Sequence, residues 1–179
     1  MRRFLISFVS IILLYVLQCS LFQQYLVLGF VAPNLILMFA CIVGFMRGRT
    51  SGMFTGFFGG LLVDIMAGGN IIGICALLYM FAGFFNGLFH REYEKEQLLL
   101  PLSLVALCDF IFGFLYYCIS FLLRNNLNLP WYLSRIILPE VVYTTFVSIF
   151  AYLIVYFINN QLKLTEKKRL TRNAARTNS

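Results

Sequence analysis

Residues 47–68 read RGRTSGMFTGFFGGLLVDIMAG. Gly48, Gly52, Gly56 and Gly60 recur every four residues, and the next two steps of that register are Asp64 and Gly68. Read as a helix, the segment carries no side chains along one ridge, so another backbone can approach closely and gain dispersion contacts that lipid would otherwise supply. A step of four residues advances about 40° beyond a full turn, which suits a partner crossing at the right-handed angle of about −40°. The ridge predicts a central place for this helix. Its occupant is either another helix of the same chain or a transmembrane helix of another protein.

The rest of the chain supplies a setting for such a ridge. Of its 179 residues 61% are hydrophobic and only 12% charged, with a mean hydropathy of +0.86. A soluble domain is nearer to about 45–50% apolar and about 25% charged, so lipid is the expected solvent. The length suits one domain. Apolar runs place six spans at residues 4–22, 29–46, 51–67, 71–89, 98–123 and 136–158, followed by a basic tail at 161–179. The first run has no small-residue cleavage site after it, and Gln18 stands before Cys19 where a lipoprotein signal would want a small residue. The second run reaches spanning length only by extending through Gly29, Pro33 and Asn34, which predicts an irregular end there.

Charge orders the spans. Arg2 and Arg3 precede span one, Arg47 and Arg49 join spans two and three, and Arg91 and Lys95 join spans four and five. Lys163, Lys167, Lys168, Arg169, Arg172 and Arg176 follow span six, leaving only Arg124 and Arg135 of the fourteen basic residues on the other side. The positive-inside rule then puts both termini of a multi-pass protein in the cytoplasm of the cell that makes it. Tyr25, Tyr93, Trp131 and Tyr132 fall near the expected interfaces, where amphipathic rings anchor. The net charge of +7 is accounted for by topology, and no aromatic platform is interleaved with the basic residues, so nucleic acid is not an expected partner. The tail shows no strong apolar period, and it is expected to fray or to lie along anionic lipid.

Three acids fall within or near spans: Asp64 on the glycine ridge, Asp109 in mid-span five and Glu140 after Pro139. An acid at mid-membrane costs about 2.5–3.5 kcal/mol on insertion scales, so each needs a partner inside the bundle. Arg124 and Arg135 are the expected ion-pair mates, Asp64 with Arg135 in particular. Five scattered cysteines form no Cys-x-x-Cys pair, and the single His90 has no second ligand near it, so neither a metal nor a cofactor is expected. No nucleophile–histidine–acid set, phosphate loop or metalloprotease motif occurs, which argues against an enzyme.

Taken in order, Pro33-Asn34-Leu35, the Gly48/Gly52/Gly56/Gly59/Gly60/Asp64 segment, and Gly68 and Gly73 before Ala76-Leu77 resemble the MreD family of bacterial rod shape-determining membrane proteins. Asn34 stands where the family pattern often has an acid. The resemblance implies an all-α six-helix transmembrane bundle in the bacterial cytoplasmic membrane, similar in fold to the substrate-binding subunits of energy-coupling-factor transporters. It further implies a non-catalytic scaffold of cell elongation and peptidoglycan synthesis. Such a scaffold would bind a bitopic partner of the MreC type and, through it, an MreB-type actin homologue and peptidoglycan synthases. On that reading the ridge, or the neighbouring Gly83-x3-Gly87, is a groove for the partner's helix. The rival reading is a vitamin-type substrate-binding subunit with Asp64, Glu140, Asn70, Asn34 and Trp131 around its ligand, and a proton-coupled carrier built on Asp109 is the third.

Overall fold

The computed structural model describes residues 2–22, 32–66, 72–90, 99–124 and 133–177. They form six α-helices, α1 (Arg2–Leu17), α2 (Leu35–Arg47), α3 (Arg49–Met66), α4 (Ile74–Leu88), α5 (Leu99–Arg124) and α6 (Leu138–Thr177), with wide π-type turns at Gln18–Phe22 and Leu133–Ile137. No strand occurs among the described residues. Each helix overlaps one of the six apolar runs, with α2 starting at Leu35 and α6 continuing to Thr177.

The central element is α2, not the glycine-rich α3. Every residue from Leu35 to Met46 is buried, and α3, α4, α5, α6 and α1 all pack around it. The reason lies in its composition: LILMFACIVGFM is apolar on all faces, and a helix without a polar face has no side to give to water or headgroups. Glycines had suggested α3 for this place, but a bare ridge needs only one close neighbour, whereas a helix apolar all round needs several.

Two features let α2 be short. At 13 residues it covers about 20 Å, against about 30 Å of hydrocarbon. Residues 32–34 before it are not helical, yet Pro33 and Asn34 are buried; irregular backbone at membrane depth persists only where protein shields it. The irregular end expected at Pro33 is therefore present, and residues 29–31 lie outside the described residues. At the other end, α2 and α3 are joined by Gly48 alone, whose φ of 93° is a left-handed conformation that disfavours side chains. Its N–H donates to the Gly44 carbonyl at 2.8 Å, closing the last turn of α2.

The other helices complete the bundle. α3 and α4 form its closest pair, α5 lies against α6, and α1 leans on α2 and α3. Phe8 of α1 meets Phe58 of α3 edge to face at 6.5 Å, and Arg47 donates to the Ser7 hydroxyl at 2.8 Å. Leu99–Ile119 and Leu133–Phe157 are each long and apolar enough to cross a membrane, while Ile6–Ser20, Leu35–Arg47 and Ile74–Leu88 are apolar but shorter. Outward faces carry Phe8, Leu13, Phe58, Phe85, Val142, Phe146 and Phe150, all exposed. Large apolar side chains displayed on several helices mark a surface meant for lipid or for other helices.

Of the two expectations for the tail, only fraying is at odds with the structure. Rather than fraying after the last apolar turn, α6 runs unbroken for 40 residues to Thr177, about 60 Å of helix. Leu, Lys, Arg, Glu and Ala are strong helix formers, and a helix already nucleated by its apolar half extends through them at little cost.

Candidate functional site

Where α3 crosses α4, the glycine ridge is filled from within the chain. A Cβ added to Gly52 would collide with the Gly83 carbonyl and one on Gly56 with the Tyr79 carbonyl. One on Gly60 would strike the Cys75 carbonyl and lie 2.6 Å from the Ala76 Cα, and one on Gly87 would strike the Arg49 backbone. Gly44 of α2 also faces the Gly83 carbonyl, so three backbones meet at Gly44, Gly52 and Gly83. Each step of four on α3 meets a step of four on α4, from Gly52 opposite Gly83 through Gly56 opposite Tyr79 to Gly60 opposite Cys75. Gly48 belongs to the α2–α3 turn instead, beside the His90 ring. The groove expected for a partner's helix is thus occupied by α4 itself.

The ridge ends on Asp64, which is buried. Its Oδ2 accepts from the Gly73 and Ala76 amides at 2.9 and 3.0 Å, and Oδ1 accepts from the Cys75 amide at 3.3 Å. The first turn of any helix has amides with no intrahelical partner, and its dipole favours negative charge there. Gly73, at φ 110°, turns the chain into α4 but has no side chain with which to cap it. Asp64 supplies that cap from the neighbouring helix. The mate anticipated for it, Arg135, lies exposed in the π-type turn before α6. Arg124 ends α5, and its side chain is outside the described residues.

A second polar group lies among α2, α4, α5 and α6. The Asn34 side chain accepts from the Leu37 amide at 3.3 Å, capping α2, and from the Tyr79 hydroxyl at 2.8 Å. The Asn34 amide donates to the Thr144 hydroxyl at 3.2 Å. Thr144 and Glu140 of α6 lie near Asp109 of α5. Asp109 is 2% exposed and neither of its carboxyl oxygens makes a hydrogen bond of good geometry. Glu140, in the first turn of α6, is half-buried. Asn34, Tyr79 and Thr144 therefore tie three helices together, while Asp109 is held beside them without a full set of partners. Tyr79→Phe should lower stability by about 1 kcal/mol, read as a lower melting temperature in detergent, because it leaves an Asn34 lone pair unmet. Asp109→Leu should leave stability equal or raised, since a well-packed apolar residue commonly replaces a buried charge without loss; a large drop in melting temperature would show that Asp109 has a stabilising partner.

At the opposite end of the bundle His90 Nδ1 lies 2.8 Å from the Phe45 carbonyl. A carbonyl only accepts, so that nitrogen carries the proton and closes an open carbonyl near the end of α2. Asn70 and Trp131, named for a ligand site, lie outside the described residues. Asn34, named with them, has its side-chain oxygen committed to the Leu37 amide and the Tyr79 hydroxyl and its backbone N–H to Thr144. The sequence reading missed Tyr79, Asn86 and Thr144, whose polar groups in apolar helices were its available signal, and Gly44, which breaks an otherwise bulky α2.

The family model for "rod shape-determining protein MreD" matches residues 1–162. Neither a curated protein nor a solved structure matches the chain. The match takes in α1 to α5 and the whole apolar half of α6, and on that extent the chain belongs to the MreD family of non-catalytic, rod shape-determining membrane proteins.

Proposed function

We propose that the protein is a scaffold of the cell-elongation machinery that binds a bitopic partner of the MreC type through transmembrane helices. That partner links it to an MreB-type actin homologue and to peptidoglycan synthases. The observation that supports this reading most is how the interior polar groups other than Asp109 are spent. Asp64 and Asn34 close the starts of α4 and α2, His90 closes the end of α2, and Thr144 and Tyr79 bind Asn34. These residues build a rigid body, and what that body offers its surroundings is apolar helix faces. Interaction through such faces is assembly rather than chemistry.

By the positive-inside rule, the basic residues at Arg47 and Arg49 and those in the polar half of α6 favour a cytoplasmic side for that end of the bundle and for both termini. α6 then carries its basic half into the cytoplasm as a helix, where anionic lipid headgroups attract it.

A tagged copy extracted from its native membrane in gentle detergent is expected to retain a protein with one transmembrane helix and a large extracytoplasmic domain. Recovery of a bound vitamin together with an ATPase-linked coupling protein would refute the scaffold and favour a transporter subunit.

A further inference from the structure

Asp109 is the interior acid that the fold does not use. It stands in mid-α5, almost wholly buried, and neither carboxyl oxygen makes a hydrogen bond of good geometry. The titratable groups that feel its charge come from four helices: Cys41 of α2, Tyr79 of α4, Cys108 of α5 itself and Glu140 of α6. The Thr144 hydroxyl of α6 also approaches it. None of these groups is basic, and no lysine, arginine or histidine acts on Asp109 among the described residues. The nearest donors are engaged elsewhere. Tyr79 donates its hydroxyl to Asn34 Oδ1 at 2.8 Å, and the Asn34 amide donates to Thr144 at 3.2 Å.

An ionised carboxylate in such a place is a buried charge with neither a cation nor a set of donors, and a carboxyl group escapes that penalty by taking up a proton. A metal ion suits the place less well. Among the described residues no three of His, Cys, Asp and Glu gather to hold one. Asn34 Oδ1 already accepts from two donors, so few free oxygens face Asp109 to replace an ion's water shell. A proton needs one lone pair and no room. Glu140 gives the place a mouth: it lies half-buried in the first turn of α6, after exposed Leu138 and one turn before the fully buried Thr144. Residues four apart share a helix face, so Glu140 stands above Thr144 on the side that meets Asp109. That end of α6 is opposite the end that carries its basic half.

We propose that Asp109 is a proton-binding site that exchanges with the extracytoplasmic side through Glu140, a property separate from scaffolding. A proton from water on that side binds the Glu140 carboxylate and passes to an oxygen of Asp109. One O–H bond forms there as the one on Glu140 breaks, no other bond changes, and each uptake adds one positive charge to the bundle. Release runs the same way in reverse. Acids kept inside a membrane bundle at a cost in stability are the residues that form proton and ion relays. The equal or raised stability expected of Asp109→Leu is the structural side of the same observation, because the fold gains nothing from the carboxyl group. The site lies where Asn34, Tyr79 and Thr144 join α2, α4 and α6, so its charge is felt at the junction of those helices.

Infrared spectroscopy of the full-length protein in lipid reads the site through the C=O stretch of an un-ionised carboxylic acid. The expected result is a band at neutral pH that Asp109→Asn removes and that shifts on transfer to heavy water. Glu140→Gln should slow that shift at least about tenfold, as loss of a proton-transferring group does. Should Asp109→Asn not fold, aspartate isotopically labelled at its side-chain carboxyl carbon makes the assignment in the parent chain. The chain has two aspartates, and the other, Asp64, uses both oxygens to accept from amides. Absence of an Asp109 acid band at every pH where the bundle stays folded overturns the proposal. A band that never shifts in heavy water overturns exchange and makes Asp109 a sealed structural acid. A shift equally fast in Glu140→Gln overturns the route. A band that sodium removes at constant pH, and potassium does not, overturns the proton as the ligand in favour of a metal ion.

Discussion

Gly56→Leu is expected to remove the folded bundle, not to release a partner from an intact one. A Cβ at Gly56 already meets the Tyr79 carbonyl, and the next atoms it would touch are the Tyr79 carbonyl carbon at 2.5 Å and the Met80 amide at 2.9 Å. These are backbone atoms of a helix fixed at Gly52–Gly83 on one side and Gly60–Cys75 on the other, so no side chain can swing aside. Overpacking usually costs about 1–3 kcal/mol, and a whole leucine against backbone should exceed that range. With about 5–15 kcal/mol of stability in a typical fold, a loss above 3 kcal/mol lowers the folded-to-unfolded ratio more than about a hundredfold. Size-exclusion chromatography of the detergent extract should show aggregate where the parent gives a single peak. Gly113→Ala is the contrast: there the new Cβ meets only the Ile137 side chain, at 3.3 Å, and the effect should stay below about 1 kcal/mol.

Asp64→Ala should be nearly as damaging, by a different route. The substitution leaves the Gly73, Cys75 and Ala76 amides without their acceptor, and the last two of these bonds are buried. Removing the acceptor from buried groups costs about 1–3 kcal/mol per group, although neighbours relax and the three do not simply add. We expect a loss of about 3 kcal/mol or more, seen as a fall in melting temperature and as proteolytic nicking near the start of α4. Asp64→Asn keeps one acceptor oxygen and should fall between. An exchange of charge between Asp64 and Arg135 should not rescue either single change, because a lysine or arginine at 64 cannot accept from amides. Rescue would instead show that an ion pair holds Asp64 in place.

Much of this arrangement was visible in the sequence, and what was missed has a physical cause. The glycine register was legible because close backbone approach requires the absence of side chains at a fixed period. Its occupant was not, since α4 meets the ridge with main-chain carbonyls at Tyr79 and Cys75 that leave no mark in residue identity. Asp64 was recognisable as an acid that must be satisfied, and for the same reason its partners were hidden: backbone amides belong to every residue. Charge complementarity therefore pointed to Arg135, one of the two basic residues expected on the same outer side. α2 was underrated because its short apolar run was judged by length. Its lack of any polar face was the better guide to a place at the centre.

Small residues and capping side chains hold the interior, where α2, α3 and α4 meet. In the proposed scaffold, recognition falls to helix faces that lipid or another helix can reach.

Gly56→Ala tests the central claim most directly, when the amount of monodisperse bundle and the bitopic protein retained per bundle are measured in the same gentle-detergent preparation. The account predicts that the bundle becomes scarcer and melts lower while each surviving bundle keeps its partner. A full yield of monodisperse, unchanged bundle that has lost its partner would contradict it, and would return the glycine ridge to the partner's helix.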